Sequence, residues 1–314
     1  MGKSGASRRQ FLKLGAAIGA GALIGTGNKV MSAISGQETK ETGKMVKVLT
    51  PDGKMVEIDE GHCCQTPTKS EIREGMPGKK MVMVIDLSKC RNARKCQEGC
   101  QKMHHLPPQM EWIKLYLMRD NEDTSPYWFP KPCLHCNNPP CVKVCPVGAT
   151  FKRTDGIVLV DNERCIGCKF CMAACPYSSR VFNWEDPNIA QDKIKNPYSP
   201  ENSTPARIGT VSKCDFCPDM VRQGELPACI TACPNGVFWY GDKNEDTVTN
   251  GTETVRFSEL IRDRAAYRFM EELGTEPSVF YLPPVNRAFD YNVGFEGLSE
   301  EEIALYKKEA GIDL

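Results

Sequence analysis

Thiols dominate the chemistry open to this sequence. It carries 17 cysteines in 314 residues, and fifteen of them fall into four groups. The third group is the most regular: Cys165, Cys168, Cys171 and Cys175, followed by Pro176. Group two is Cys133, Cys136, Cys141 and Cys145 with Pro146, two residues longer in its middle gap. Group four is Cys214, Cys217, Cys229 and Cys233 with Pro234, and its middle gap is eleven residues long. Group one holds only Cys90, Cys96 and Cys100, and Ala93 stands where its second cysteine belongs. Three thiolates two residues apart can wrap one metal centre within a single loop. A fourth, past a short helical step, points away toward a different centre.

The spacing C-x₂-C-x₂-C-x₃-C-P of group three is the bacterial ferredoxin run. Zinc is the rival metal, because Cys133-x₂-Cys136 and Cys214-x₂-Cys217 look like halves of zinc knuckles. The three C-x₃-C-P endings favour iron–sulfur. Haem attachment needs C-x-x-C-H, and Cys133-Leu134-His135-Cys136-Asn137 lacks the final histidine. Cys63 and Cys64, beside His62, are spare ligands for the centre that lacks a thiol at Ala93; the alternative is a purely structural pair. His104 and His105 are candidate donors to sulfide or to a quinone head, or else one packed and one exposed imidazole. Lys169 and Lys213 adjoin ligating cysteines, where a positive charge favours the reduced, more negative state of a cluster; solvated charge reads equally well.

The elements that must position these thiols are short. Residues 81–87 read as a strand leading into group one, and 156–161 as a strand leading to Cys165. Cys145-Pro146-Val147-Gly148-Ala149-Thr150-Phe151 recurs in outline as Cys233-Pro234-Asn235-Gly236-Val237-Phe238-Trp239, so copies of one small unit are stacked. Upstream, Val46-Lys47-Val48 and Val56-Glu57-Ile58 alternate apolar and polar around Thr50-Pro51-Asp52-Gly53, a β-hairpin pattern. Downstream, 257–273 has helical spacing with Gly274 as a stop, and Ser299 with Glu302 forms a capping box. The expected organisation is a signal at 1–35, hairpin and linker at 36–80, a four-cluster domain at 81–241, and a C-terminal docking tail at 242–314.

Ser7-Arg8-Arg9-Gln10-Phe11-Leu12-Lys13 followed by an apolar run to Gly25 matches a twin-arginine export signal. The expected location is therefore periplasmic or at the extracytoplasmic face of the membrane. Export with many cysteines ordinarily suggests disulfides, but what this signal implies is carriage of proteins already folded and often loaded with cofactor. No later segment has the length of a membrane span. Formal net charge is zero, which disfavours nucleic acid as a partner. No nucleophile elbow, phosphate loop or dinucleotide fingerprint is present, so the chain reads as a non-catalytic component.

On these motifs residues 81–241 resemble the four-cluster ferredoxin subunits of the molybdopterin oxidoreductase family, typified by dimethyl sulfoxide reductase, polysulfide reductase and nitrite-reductase-associated subunits. The resemblance implies an α+β fold of two tandem ferredoxin-like, βαβ-type halves around a pseudo-two-fold, to which the hairpin and a helical tail are added. It implies that group one exchanges its last cysteine with group four, and group two with group three. The implied ligand sets are then Cys133, Cys136, Cys141 and Cys175; Cys165, Cys168, Cys171 and Cys145; Cys214, Cys217, Cys229 and Cys100; and Cys90, Cys96 and Cys233 alone. The implied cofactors are three [4Fe-4S] clusters and one [3Fe-4S] cluster, or a fourth [4Fe-4S] with a recruited ligand. The implied role is a single-electron relay between a periplasmic molybdopterin-type or other redox catalytic subunit and an integral-membrane quinone-interacting subunit. An autonomous periplasmic polyferredoxin, or a structural or sensing iron–sulfur protein, are the alternatives.

Overall fold

The computed structural model describes residues 67–185, 198–201 and 206–312, together with the backbone of 45–49 and 55–59. The twin-arginine segment, His62, Cys63 and Cys64 lie outside the described residues. The chain divides into a unit of Met1–Thr66 and one of Pro67–Leu314. In the first, β1 (Met45–Leu49) pairs antiparallel with β2 (Met55–Asp59), Met45 opposite Asp59 and Leu49 opposite Met55.

The second unit opens on α1 (Lys69–Glu74). The Thr68 hydroxyl accepts from the Glu71 N–H and the Glu71 carboxylate accepts from the Thr68 N–H, satisfying two donors that a helix start leaves free. β3 (Met81–Asp86) follows and every residue in it is buried. Met81, Met83 and Ile85 face the larger core while Val82 and Val84 face a second one, which is why its apolar run is continuous instead of alternating.

The chain then runs through α2 (Lys95–His104), the hairpin β4 (Lys114–Met118) and β5 (Tyr127–Lys131), α3 (Pro140–Lys143), and the hairpin β6 (Thr150–Lys152) and β7 (Val158–Val160). After α4 (Phe170–Ala173), β8 (Val181–Phe182) pairs with β9 (Val211–Ser212), and α5 (Pro218–Arg222) and α6 (Ala228–Thr231) follow. β10 (Phe238–Asp242), β11 (Thr247–Thr249), β12 (Thr254–Arg256) and β13 (Val279–Leu282) join β3 in a sheet of order β12-β11-β10-β3-β13, with β13 parallel to β3. This mixture of small sheets and short helices is an α+β fold. Gly148 and Gly236 both take φ +59° just ahead of β6 and β10, a left-handed turn that favours glycine, so the sequence repeat is also a conformational one.

The helix expected over 257–273 is broken. α7 (Phe257–Asp263) ends at Arg264, and Ala265 and Met270 adopt left-handed φ of 48° and 53°. The reason is a competing partner. Tyr267 exchanges N–H···O bonds of 2.9 and 2.8 Å with Tyr281 of β13, and so pairs with the outer strand of the sheet.

Residues 285–312 return over the loop of group one. The Ala288 N–H donates to the Ser88 carbonyl at 2.9 Å, and Asn92 Nδ2 donates to the Gly294 carbonyl at 2.6 Å. Arg91 pairs with Glu296 at 3.3 Å and Arg94 donates to the Tyr306 hydroxyl at 3.1 Å. Trp128 of β5 meets Phe295 and Tyr306 edge-on and donates its Nε1–H to the Tyr291 carbonyl. Gly294 lies so close to Trp128 and Asn92 that a Cβ there would overlap both. α8 (Glu300–Glu309) starts on the Ser299–Glu302 capping box.

A buried ion network ties the β6–β7 hairpin to α5. Arg153 pairs with Asp155 and Glu201, and Glu201 accepts from Arg222 at 2.9 Å. Among the described residues, no helix is long and apolar enough to cross a membrane.

Candidate metal centres

Each cysteine loop bends in the same way. Two residues after its first cysteine the backbone turns left-handed, at Asn92 (φ 56°), His135 (42°), Gly167 (69°) and Phe216 (69°). Group one keeps this turn although Ala93 replaces its next thiol. In groups two to four the third cysteine lies in the first two residues of a short helix and the fourth follows four residues later, and Cys96 and Cys100 of group one take the same two places: α2, α3, α4 and α6 carry Cys96, Cys141, Cys171 and Cys229. α2 packs against α6 and α3 against α4. Gly99 makes the first contact possible, because a Cβ there would stand 2.7 Å from that of Ala232. Groups one and four therefore meet, as do groups two and three.

The thiols collect accordingly. Cys133, Cys136, Cys141 and Cys175 line one cavity, here the Cys133 set. Cys145, Cys165, Cys168 and Cys171 line a second, the Cys168 set. Cys90, Cys96 and Cys233 line a third together with Ala93. Cys100, Cys214, Cys217 and Cys229, the Cys214 set, are each 6 % exposed and lie close enough for their charges to interact. The sets come within reach of one another's charge in one order. Cys96 of the Ala93 set neighbours Cys100 and Cys229, Cys214 neighbours Cys133, and Cys141 neighbours Cys171. The sets thus form a row with the Ala93 set at one end and the Cys168 set at the other.

Burial sets the protonation of most of these thiols. It pushes Cys90, Cys136 and Cys214 up to about 12, and Cys100, Cys217 and Cys229 well above the ordinary thiol range. Cys145 is the exception. Burial raises it, yet the backbone N–H groups of Thr150, Val147 and Ala149 outweigh that and hold it below the usual value. Buried thiolates need a cation, and a metal centre that displaces their protons supplies it.

Around the row lie several polar groups. His104 is 2 % exposed, lies tilted against Trp112 with ring centroids 4.6 Å apart, and places Nε2 3.4 Å from Cys217 Sγ and 3.6 Å from Asp215. His105 ends α2 half-buried, so the pair divides into one packed and one more open imidazole. His135 donates from Nε2 to the Cys214 carbonyl and accepts the Val158 N–H at Nδ1, which fixes a neutral ring; burial pushes its pKa well below the usual histidine range. Lys213 is buried and donates to the carbonyls of Val158 and Cys214, which rules out the solvated reading for it. Lys169 holds its ammonium 4.1 and 3.8 Å from the rings of Phe182 and Trp184.

The width of the sets bears on the metal. A tetrahedral zinc site with Zn–S of about 2.3 Å brings its sulfurs to roughly 3.8 Å of one another. Among the described residues, the group of three or more His, Cys, Asp or Glu ligand atoms within 4.8 Å of one another is His104, Asp215 and Cys217. The thiol sets are more open than that, and they fit a multi-iron cluster better than a single ion.

Short cysteine loops on small sheets, with thiols gathered in open sets, define an iron–sulfur protein. Residues 124–206 match the 4Fe-4S dicluster domain. The chain is 34% identical over 297 residues to a subunit of the selenate reductase of Mesobacillus selenatarsenatis, covering 88% of this chain and 97% of that one. It is 36% identical over 234 residues to the iron–sulfur cluster-binding subunit of menaquinone reductase from Nitratidesulfovibrio vulgaris, 65% of this chain and 88% of that one. It is 32% identical over 287 residues to the Hdr-like menaquinol oxidoreductase iron–sulfur subunit 1 of Archaeoglobus fulgidus, 88% of this chain and 97% of that one. The chain belongs to the family of iron–sulfur subunits of the molybdopterin oxidoreductases, and it is an electron-transfer component, not the catalytic one.

Proposed function

We propose that this chain relays single electrons along four clusters in a row, between a molybdopterin-type or other redox catalytic subunit and an integral-membrane quinone-interacting subunit. The observation that carries the reading is the ordered row of thiol sets, each built from two cysteine groups. The relatives named as subunits of a selenate reductase, a menaquinone reductase and a menaquinol oxidoreductase support one catalytic and one quinone-linked neighbour. Each cluster accepts one electron at a time, which turns two-electron chemistry at either end into single steps. The chain's own residues fix spacing, exclude water and set the charge around each site.

In this reading the Cys133, Cys168 and Cys214 sets each hold a [4Fe-4S] cluster. The Ala93 set offers three thiolates and holds a [3Fe-4S] cluster. The two packed helix pairs are the cores of two ferredoxin-like halves about a pseudo-two-fold, within a cluster domain of 81–241. The twin-arginine segment directs the folded protein to the periplasmic face.

The Cys168 end is where a partner docks. Cys168 is exposed, and Ile166, Phe170, Trp184 and Ile208 around it are among the exposed large apolar residues. Apolar surface concentrated around an electron's exit point suits a protein interface.

Metal analysis of anaerobically prepared protein tests the cluster reading: three four-iron and one three-iron cluster amount to about fifteen irons per chain without zinc. A result near four irons, or stoichiometric zinc, would sink it. Replacing Arg8 and Arg9 with lysine is expected to leave a cluster-bearing protein in the cytoplasm; arrival of that variant in the periplasm would overturn the export assignment.

A further inference from the structure

Arg180 lies five residues after Cys175 and is 4 % exposed. Its Nη1 donates to the Thr150 hydroxyl at 3.2 Å, and its Nη2 is buried without a hydrogen-bond partner among the described residues. It lines the cavity of the Cys133 set. The same Thr150 turns its N–H toward Cys145 Sγ at 3.5 Å, so Arg180 also touches the frame of the Cys168 set. The thiols of Cys141, Cys171 and Cys133 lie within reach of its charge. Two of those thiols belong to the Cys133 set and one to the Cys168 set.

A guanidinium does not lose its proton in a protein. Its burial is therefore tolerable only beside negative charge, and the anions within reach belong to two adjacent sites. We propose that Arg180 is a potential-setting residue shared by the centres of the Cys133 and Cys168 sets. This rests on the cluster reading above. Adding an electron makes each centre more negative, and a fixed cation between them stabilises both reduced forms. The two centres nearest the exposed end thus hold electrons more readily than their ligands alone would dictate. Arg180 forms no bond to iron and acts through charge, with Thr150 orienting it.

Redox titration of the holoprotein by electron paramagnetic resonance separates this role from a structural one. Signals are first assigned by Cys136→Ser and Cys168→Ser, which each perturb one centre. Arg180→Gln is expected to lower the potentials of these two centres by at least a tenfold change in the reduction equilibrium, about 59 mV for one electron. The other two centres should stay at their wild-type values. Arg180→Lys, which keeps the charge and loses the planar fork, is expected to shift the same two by less. Iron content is measured on every sample. Wild-type protein without clusters would sink the cluster reading. Fully loaded Arg180→Gln with unchanged potentials, or with one centre shifted, would overturn the shared role. Should Arg180→Gln lose iron, Arg180→Lys decides: full iron with potentials unchanged or shifted only at these two centres supports a role through charge, whereas lost iron or equal shifts in all four centres would overturn it.

Discussion

The two ends of the row are finished differently. At the Cys168 end the outermost thiol is exposed, the surrounding residues are apolar and open, and Lys169 lies flat against Phe182 and Trp184. At the Ala93 end Cys96 is buried and Cys90 and Cys233 are half-buried, and the C-terminal tail grips Ser88, Arg91, Asn92 and Arg94 in turn. The end with four thiols faces outward and the end with three is wrapped. A cluster corner without a thiolate loses iron to water and chelators more easily than a saturated one, so shielding belongs where a ligand is missing. Electron exchange with a partner needs the opposite, a short path and a surface made for contact.

The largest effect expected from breaking this contrast is at Ala93. Wild-type oxidised protein should show the paramagnetic signal of a three-iron cluster, and Ala93→Cys should abolish it, raise the iron content to about sixteen and lower that centre's potential. If Cys63 or Cys64 supplies a hidden fourth ligand, the wild type will lack the signal, and a serine at one of those positions will create it.

Next in size is thiol reactivity after the iron has been removed. Burial lifts Cys90 to about 12, whereas backbone N–H groups hold Cys145 below the ordinary value. Since the thiolate is the nucleophile, alkylation at pH 8 should modify Cys145 roughly a hundredfold or more faster than Cys90, read by mass spectrometry of peptides. Comparable rates at both ends would remove the contrast. The same raised values give the pH dependence of loading its sign: those thiols must lose protons to bind metal, so cluster assembly at the Ala93 end should strengthen as pH rises.

A smaller effect is expected from Gly294→Leu, which drives a side chain into Trp128 and Asn92. Overpacking of this kind costs about 1–3 kcal/mol, visible as a lowered denaturation midpoint. The three-iron signal should become sensitive to chelator while the other signals do not; uniform sensitivity would mean that the tail is not a local cover. The smallest belongs to Trp184→Ala, which should weaken binding of the partner at the exposed end about tenfold without changing iron content. Unchanged affinity measured by titration calorimetry would move the docking surface elsewhere.

Much of the local structure was legible from residue order. The buried strand at 81–86, the repeated turn at Gly148 and Gly236, and the Ser299–Glu302 cap follow from patterns spanning a few residues. What spacing does not carry is which helices meet. The gathering of Cys100 with Cys214 depends on Gly99 letting α2 approach α6, a contact across more than a hundred residues. The break in 257–273 came from a strand pairing with Tyr281, which outweighed a helical pattern. Arg180 looks like an ordinary surface cation in the sequence, and Lys213 beside Cys214 reads equally well as a tuning charge or a solvated one; only packing reveals that both are buried. The left-handed turn at Asn92 left no mark in the sequence either, because its counterparts are histidine, glycine and phenylalanine.

The wrapped end also imposes an order in time. Cys90, Cys96 and Cys233 are all made before the segment that covers them, and at about 5–20 residues per second the ribosome needs roughly four to fifteen seconds to go from Cys233 to the end of α8. During that interval the three-thiol pocket is open to whatever delivers iron and sulfide. Once residues 285–312 emerge, the Gly294 and Tyr306 contacts can close it. A chain that stops short keeps every cysteine of the row yet lacks the contacts of Ala288, Gly294, Glu296 and Tyr306 with the loop of group one.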